Sequence, residues 1–271
     1  MAEPATFEVQ GLRFGYGSRD DSRTPPVIRD LALRLAPGRF HAVVGPNGCG
    51  KTTLLDLLCG ALRPLAGRVR FQGRDVAVYR RRELARRLAM APQEFSVAFP
   101  FSVREVVAMG RHPHVPRFAG LTAQDLDAVD QALTLFGLED LAEADVTGLS
   151  SGEKQRVVLA RVLAQDAPVM LLDEPTSHLD PGHALDALHH FAQAVRAQGR
   201  TVVAVLHDLN LAAAHCDELV LMDRGQVLDA GPRDAILKPE TLERLFGVRA
   251  RVRHDAFTGA PSVTLKRLEA S

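Results

Sequence analysis

Apolar residues fall along this chain in two rhythms. The runs 39–44, 169–172, 201–206 and 218–222 are apolar at nearly every position, the pattern of strands covered on both faces rather than one. From Lys51, Ser151, Pro181 and Leu209, between and after these runs, apolar positions recur at helical spacing. Strand and helix in alternation predict a wound α/β sheet. Phe7–Phe14 reads as an edge strand, followed by a polar, proline-ended loop over residues 17–26. From residue 99 to about 144 the texture is helical with no clear strand, and Thr122 with Asp125 opens an apolar run as a capping box would. This predicts an all-helical insertion into the α/β domain. Beyond Gly231-Pro232 come two short helical patterns, then an alternating stretch, 248–265, that turns around Thr258-Gly259 and predicts a terminal hairpin.

Composition narrows the class. The 271 residues are 46% hydrophobic and 24% charged, which excludes a mostly disordered chain and a disulfide-dense scaffold. Lys+Arg and Asp+Glu cancel at 33 each, so nothing pulls the whole molecule to a polyanion and nucleic acid is not an expected partner. Cys49, Cys59 and Cys216 are odd in number and lack C-x-x-C spacing; they read as buried thiols in a reducing compartment. The start, Met1-Ala2-Glu3-Pro4, has no basic or apolar leader pattern, and no run approaches the ~18 apolar residues of a spanning helix. The expectation is a cytoplasmic chain that meets a membrane only through a partner.

Chemistry enters at Gly45-Pro46-Asn47-Gly48-Cys49-Gly50-Lys51-Thr52, a complete G-x-x-x-x-G-K-T between a predicted strand and a predicted helix. Glycines let successive N–H groups face an anion, the helix start adds its positive pole, Lys51 brings a full charge to the β- and γ-phosphates, and Thr52 offers Mg²⁺ a hydroxyl. Four apolar residues then run into Asp173-Glu174. Asp173 can hold the Mg²⁺ shell and Glu174 can polarise the water that attacks the γ-phosphate; taken alone, the pair reads equally as an acidic turn. Leu149-Ser150-Ser151-Gly152-Glu153 precedes a strong helical run, a second anion-binding helix start or, taken alone, a plain N-cap.

At these residues the chain resembles the ATP-binding subunit of ABC transporters over nearly its whole length. The P-loop matches Walker A, residues 169–174 match Walker B, and residues 149–153 resemble the signature. Gln93 falls at the Q-loop, Asp180 in Ser177-His178-Leu179-Asp180 at the D-loop, and His207 at the switch histidine; Tyr16 is placed like the aromatic that stacks on adenine. The resemblance implies an ABC-type P-loop core with a small N-terminal antiparallel β region. Residues 1–92 and 149–240 form the core, 93–148 the Q-loop and helical subdomain, and 241–271 a C-terminal helix and hairpin. It implies ATP and Mg²⁺ as cofactors, with Gly45 to Thr52 and Thr53 on the phosphates and Thr52, Gln93 and Asp173 at Mg²⁺. Glu174 is then the general base, with Lys51, Gln93 and His207 beside it in catalysis. Ser150 and Gly152 close over a partner copy's nucleotide, and Asp180 links the two sites. Two residues depart from the family pattern: Ser151 stands at a signature glycine, and Cys49 where serine or alanine is usual.

Within the superfamily, the absence of heptads between Lys51 and Ser150 excludes the coiled-coil chromosome-maintenance class, and a single P-loop excludes tandem-cassette members. The stretch 99–114 and Thr176-Ser177-His178-Leu179-Asp180 resemble importer ATPases for iron–siderophore, haem and cobalamin, with siderophore placed first. Such importers work as homodimers under separate membrane permeases, on the cytoplasmic face of the inner membrane, fed by an external binding protein. The alternative is a soluble single-cassette scaffold ATPase of the iron–sulfur assembly type. The pairs His112 and His114, His178 and His183, and His189 and His190 match no zinc spacing and read as surface or structural. The arginine-rich stretch 79–87, with Leu84 and Leu88 four apart, reads as a solvated helix face.

Overall fold

A computed structural model describes residues 5–17, 25–95 and 99–268. Residues 1–4 and most of the loop expected at 17–26 lie outside them. In chain order the elements are β1 (Phe7–Phe14), β2 (Ile28–Leu35), β3 (Phe40–Val44), α1 (Lys51–Leu58), β4 (Ala66–Phe71), β5 (Arg74–Asp75) and α2 (Arg81–Ala85). There follow β6 (Leu88–Ala91), α3 (Val103–Ala108), α4 (Ala123–Leu135), α5 (Ser151–Ala164), β7 (Val169–Asp173), α6 (Pro181–Gln198) and β8 (Thr201–Val205). The chain closes with α7 (Leu209–His215), β9 (Glu218–Asp223), β10 (Gln226–Pro232), α8 (Arg233–Ile236), α9 (Pro239–Phe246), β11 (Val248–Asp255) and β12 (Ala260–Arg267). They divide into two compact units, Met1–Val78 with Thr201–Ser271, and Tyr79–Arg200.

In the first unit β3 pairs parallel with β8 on one side and β9 on the other, and β10 runs antiparallel beside β9. Every residue of β3 and β8 is buried, as uninterrupted apolar runs require of strands with both faces covered. A separate antiparallel sheet runs in the order β2-β1-β4-β5. β1 is therefore an interior strand, not the edge strand expected: alternation shows that one face is buried but carries no information on how many neighbours hydrogen-bond its edges. Phe7 lies opposite Phe71 across the β1–β4 pair with ring centroids 5.0 Å apart, a cross-strand aromatic contact that fixes register. The terminal hairpin β11–β12 turns where expected, with Gly259 at φ 67°. Asn210 of α7 pins it through both amide atoms, accepting from Val263 N at 2.7 Å and donating to Val263 O at 3.3 Å.

In the second unit β6 and β7 form a parallel pair, and the predicted helical stretch supplies α3 and α4. Thr122 caps α4 in the capping box read from sequence. The unit is tied at its centre by a buried ion pair. Arg111 Nε donates to Asp125 Oδ1 at 2.9 Å, both side chains being 8% exposed, and Arg111 Nη1 donates to Ala164 O at the end of α5 at 2.7 Å. His114 Nε2 donates to the next carbonyl, Gln165 O, at 2.8 Å. The arginines of stretch 79–87 are exposed, as read, but only part of the stretch is helix. α2 ends at Ala85, Leu88 already belongs to β6, and Arg82 and Arg86 each donate through Nε to Pro113 O, at 3.0 and 2.7 Å, instead of facing only solvent. Cys49 and Cys216 are buried as read, but Cys59 is half-buried. Among the described residues no helix is long and apolar enough to cross a membrane.

Candidate nucleotide-binding site

In the first unit β3 ends at Val44 and the chain turns through residues 45–50 into α1. Gly50, at the N-cap, has φ 102°, a left-handed conformation that costs other residues roughly 1–2 kcal/mol, and a Cβ there would meet Ile28 Cδ1 at 2.8 Å. Only glycine enters this helix without strain. Lys51 is 6% exposed, and its ammonium donates to Gly45 O at 2.9 Å and Pro46 O at 3.0 Å. A full positive charge is thus held at the mouth of a helix whose first amides carry the positive end of its dipole. The loop is braced from beneath: Gly225 N donates to Cys49 O at 3.0 Å, and Gly225 O accepts from Arg29 N at 2.8 Å. Burial pushes the Cys49 thiol up despite nearby Lys51, so the site keeps it neutral.

Tyr16 lies beside this loop. The residue is 55% exposed, its ring stands edge-on to Phe14 at 5.1 Å, and its hydroxyl is 3.1 Å from Thr53 Oγ1 in the first turn of α1. An aromatic face is therefore open next to the helix start. His207 is exposed just past the carboxyl end of β8, and Leu206 N donates to Val43 O at 3.2 Å, so His207 and the P-loop emerge at the same end of two parallel strands. That end is where wound α/β sheets bind ligands.

In the second unit all five residues of β7 are buried, and Asp173 at its end is 1% exposed. Glu174 follows at φ 50°. Its carbonyl accepts from Ser177 N at 3.0 Å, Ser177 Oγ at 2.7 Å and, more weakly, Gln155 Nε2 at 3.4 Å. Asp180 caps α6 by accepting from His183 N at 3.1 Å, and the paired His183 ring holds its carboxyl below the usual range. Gln93 is exposed two residues beyond β6. Ser150 caps α5 in a reciprocal box with Glu153, whose carboxylate accepts from Ser150 Oγ at 2.7 Å and Ser150 N at 2.8 Å. These bonds hold Glu153 below the ordinary carboxylate range. The structure shows the N-cap, and the first-turn amides behind it carry the positive end of the α5 dipole. Ser151 is the first residue of α5 and takes helical, not left-handed, angles, so serine fits where the family has glycine.

The structure also gives weight to Gln155, which the sequence reading left without a role. It is a buried carboxamide three positions after Gly152, and a polar residue on the apolar side of a helical pattern was the signal available.

A buried lysine bonded to the carbonyls of a glycine turn, with a helix opening beneath it, defines a P-loop nucleotide-binding cassette. Residues 28–177 match the family described as ABC transporter, and the chain belongs to that family. A cobalamin import ATP-binding protein of Halobacterium salinarum is 46% identical over 238 residues, 88% of this chain, and the chain spans 59% of that relative's length. A hemin import ATP-binding protein of Pseudomonas entomophila is 42% identical over 265 residues, covering 95% of this chain and 98% of the relative. Among solved structures, a metal-chelate type ABC transporter in an inward-facing conformation superposes with a TM-score of 0.79 at 30% identity, over 98% of both chains.

Proposed function

We propose that this chain is the ATP-hydrolysing subunit of an importer for a metal chelate (siderophore iron, haem or cobalamin), acting as a homodimer beneath separate permease subunits on the cytoplasmic face of the inner membrane. The observation that carries the reading is that one chain presents two helix starts suited to phosphate, at Gly50 and at Ser150, each on its own unit. A head-to-tail pair of copies would use both. Relatives that carry cobalamin and haem import in their names, and a structural neighbour of metal-chelate type, support the cargo class. An external binding protein would deliver the cargo.

In this reading residues 45–52 and Thr53 cradle the phosphates, Lys51 neutralises the β- and γ-oxygens, and Tyr16 stacks on the adenine. Thr52, Asp173 and Gln93 offer hydroxyl, carboxylate and carboxamide oxygens, a hard donor set that suits Mg²⁺. Mg²⁺ bound there would screen the charge that develops on the phosphates. Glu174 takes the proton of the attacking water, His207 and Gln93 sense the γ-phosphate, and Asp180 joins the two sites. Ser150 and Gly152 approach the γ-phosphate of the partner copy's ATP, a contact that exists only when the dimer closes, so cleavage weakens closure.

The test co-purifies the chain with its permease and measures turnover with ferric siderophore, haem or a corrinoid added through a binding protein. Stimulation by one of them is the expected result. Stimulation by none, with ATP turnover intact, overturns the importer reading.

A further inference from the structure

We infer that Gln155 is a positioning residue for Glu174, tying the base at one nucleotide to the signature helix that serves the other. The inference rests on the homodimer reading above. One face of α5 lies against the turn that follows β7. Gly152 and Gln155, three apart and so on one side of the helix, both meet that turn. A Cβ on Gly152 would lie 2.9 Å from His178 O, so the first turn of α5 can approach the D-loop backbone this closely only with glycine there. Gln155 is 6% exposed, and its amide donates to Pro175 O at 3.2 Å and to Glu174 O at 3.4 Å.

These bonds act on a backbone that needs holding. Glu174, at φ 50°, is a left-handed non-glycine residue, a strained state, and Pro175 after it disfavours the right-handed helical alternative. The escape route is the extended region, which would swing the carboxylate away from its present direction. Ser177 and Gln155 pin the peptide planes on which that choice depends. Ser177 belongs to the same turn, whereas Gln155 belongs to the helix whose N-cap is Ser150. A shift of α5 as Ser150 closes on the partner's γ-phosphate therefore reaches the chain's own Glu174 through Gln155. Each base is aligned by closure at the opposite site.

The test uses the full chain and compares Gln155→Met, which keeps length and apolar packing but loses the donors, with Ser177→Ala and Glu174→Gln. Gln155→Met should lower kcat by about tenfold while KM for ATP stays within about twofold, because alignment and not nucleotide contact is lost. Ser177→Ala should lower kcat in the same direction by a smaller factor, which covers the case of a Gln155 variant that does not fold. In a Glu174→Gln background, Gln155→Met should leave the ATP concentration needed for dimerisation unchanged. An unaltered kcat in a folded Gln155→Met overturns the inference, as does an unaltered kcat in Ser177→Ala where the Gln155 variant does not fold. So does loss of ATP-driven dimers together with a raised KM, since Gln155 would then serve only the signature. Full turnover by Glu174→Gln overturns the base assignment itself, a separable failure.

Discussion

Replacing Arg111 with methionine should destabilise the protein by about 4 kcal/mol, and the structure supplies the parts of that figure. Arg111 and Asp125 are a buried pair with side chains 8% exposed, and removing one member of such a pair costs roughly 3–5 kcal/mol because the other charge is stranded. The lower end applies here, about 3 kcal/mol, since Asp125 keeps the bonds from Thr122 N at 2.9 Å and Thr122 Oγ1 at 2.7 Å. The bond to Ala164 O is lost as well, at about 1 kcal/mol. For a chain of this size the loss corresponds to a fall in Tm on the order of 10 °C. Urea titration of wild type and variant reads it directly. The effect carries a pH signature. Thr122's hydrogen bonds, with Arg111's, hold the Asp125 carboxyl at about 2 against an ordinary 3.8. A depressed carboxylate stabilises the fold fully above its unfolded value and ceases to do so as pH falls through the folded one. The gap between wild type and variant should thus be constant above about pH 4 and narrow towards pH 2. Adding Asp125→Leu to the variant should recover the stranded-charge cost, leaving about 2 kcal/mol, about half from the bond to Ala164 O and half from the lost capping box. A loss under about 1 kcal/mol for Arg111→Met, or a gap indifferent to pH, would refute the reasoning.

Three further outcomes are expected. Lys51→Ala should weaken ATP binding by at least about tenfold, read by fluorescent-nucleotide titration, because no other group in the loop brings a full charge to the phosphates; unchanged affinity would remove Lys51 from its role. Ser151→Gly should leave kcat within about twofold, since Ser151 has helical angles that need no glycine; a large gain would show that serine distorts the signature. Tyr16→Ala should raise KM for ATP several-fold with kcat little changed, and equal KM for ATP and a bare triphosphate in wild type would exclude stacking.

What could be read from the chain alone follows its physics. The P-loop was legible because helix entry at Gly50 requires left-handed backbone and the lysine must follow it at once. The buried strands β3, β7 and β8 were legible because both faces are covered and every position is apolar. β10 escaped notice because Gln226–Pro232 contains aspartate, glycine and proline and is only partly buried, and β4 because Arg68 and Arg70 break up its apolar positions. Caps were readable at Ser150 and Thr122, since a capping box is set by residues three apart. The Arg111–Asp125 pair and the grip of Gln155 on Glu174 were not readable, because they join residues that only the fold brings together.

The central claim is that ATP is held between two copies of this chain, each offering a different half of the site. Sedimentation of the Glu174→Gln variant with and without ATP tests it most directly. The account predicts a monomer without nucleotide and a dimer retaining two ATP with it, and a return to monomer when Ser150 is also replaced by arginine. A chain that stays monomeric under saturating ATP, while the wild type turns over at full rate whether or not Ser150 is present, would contradict it.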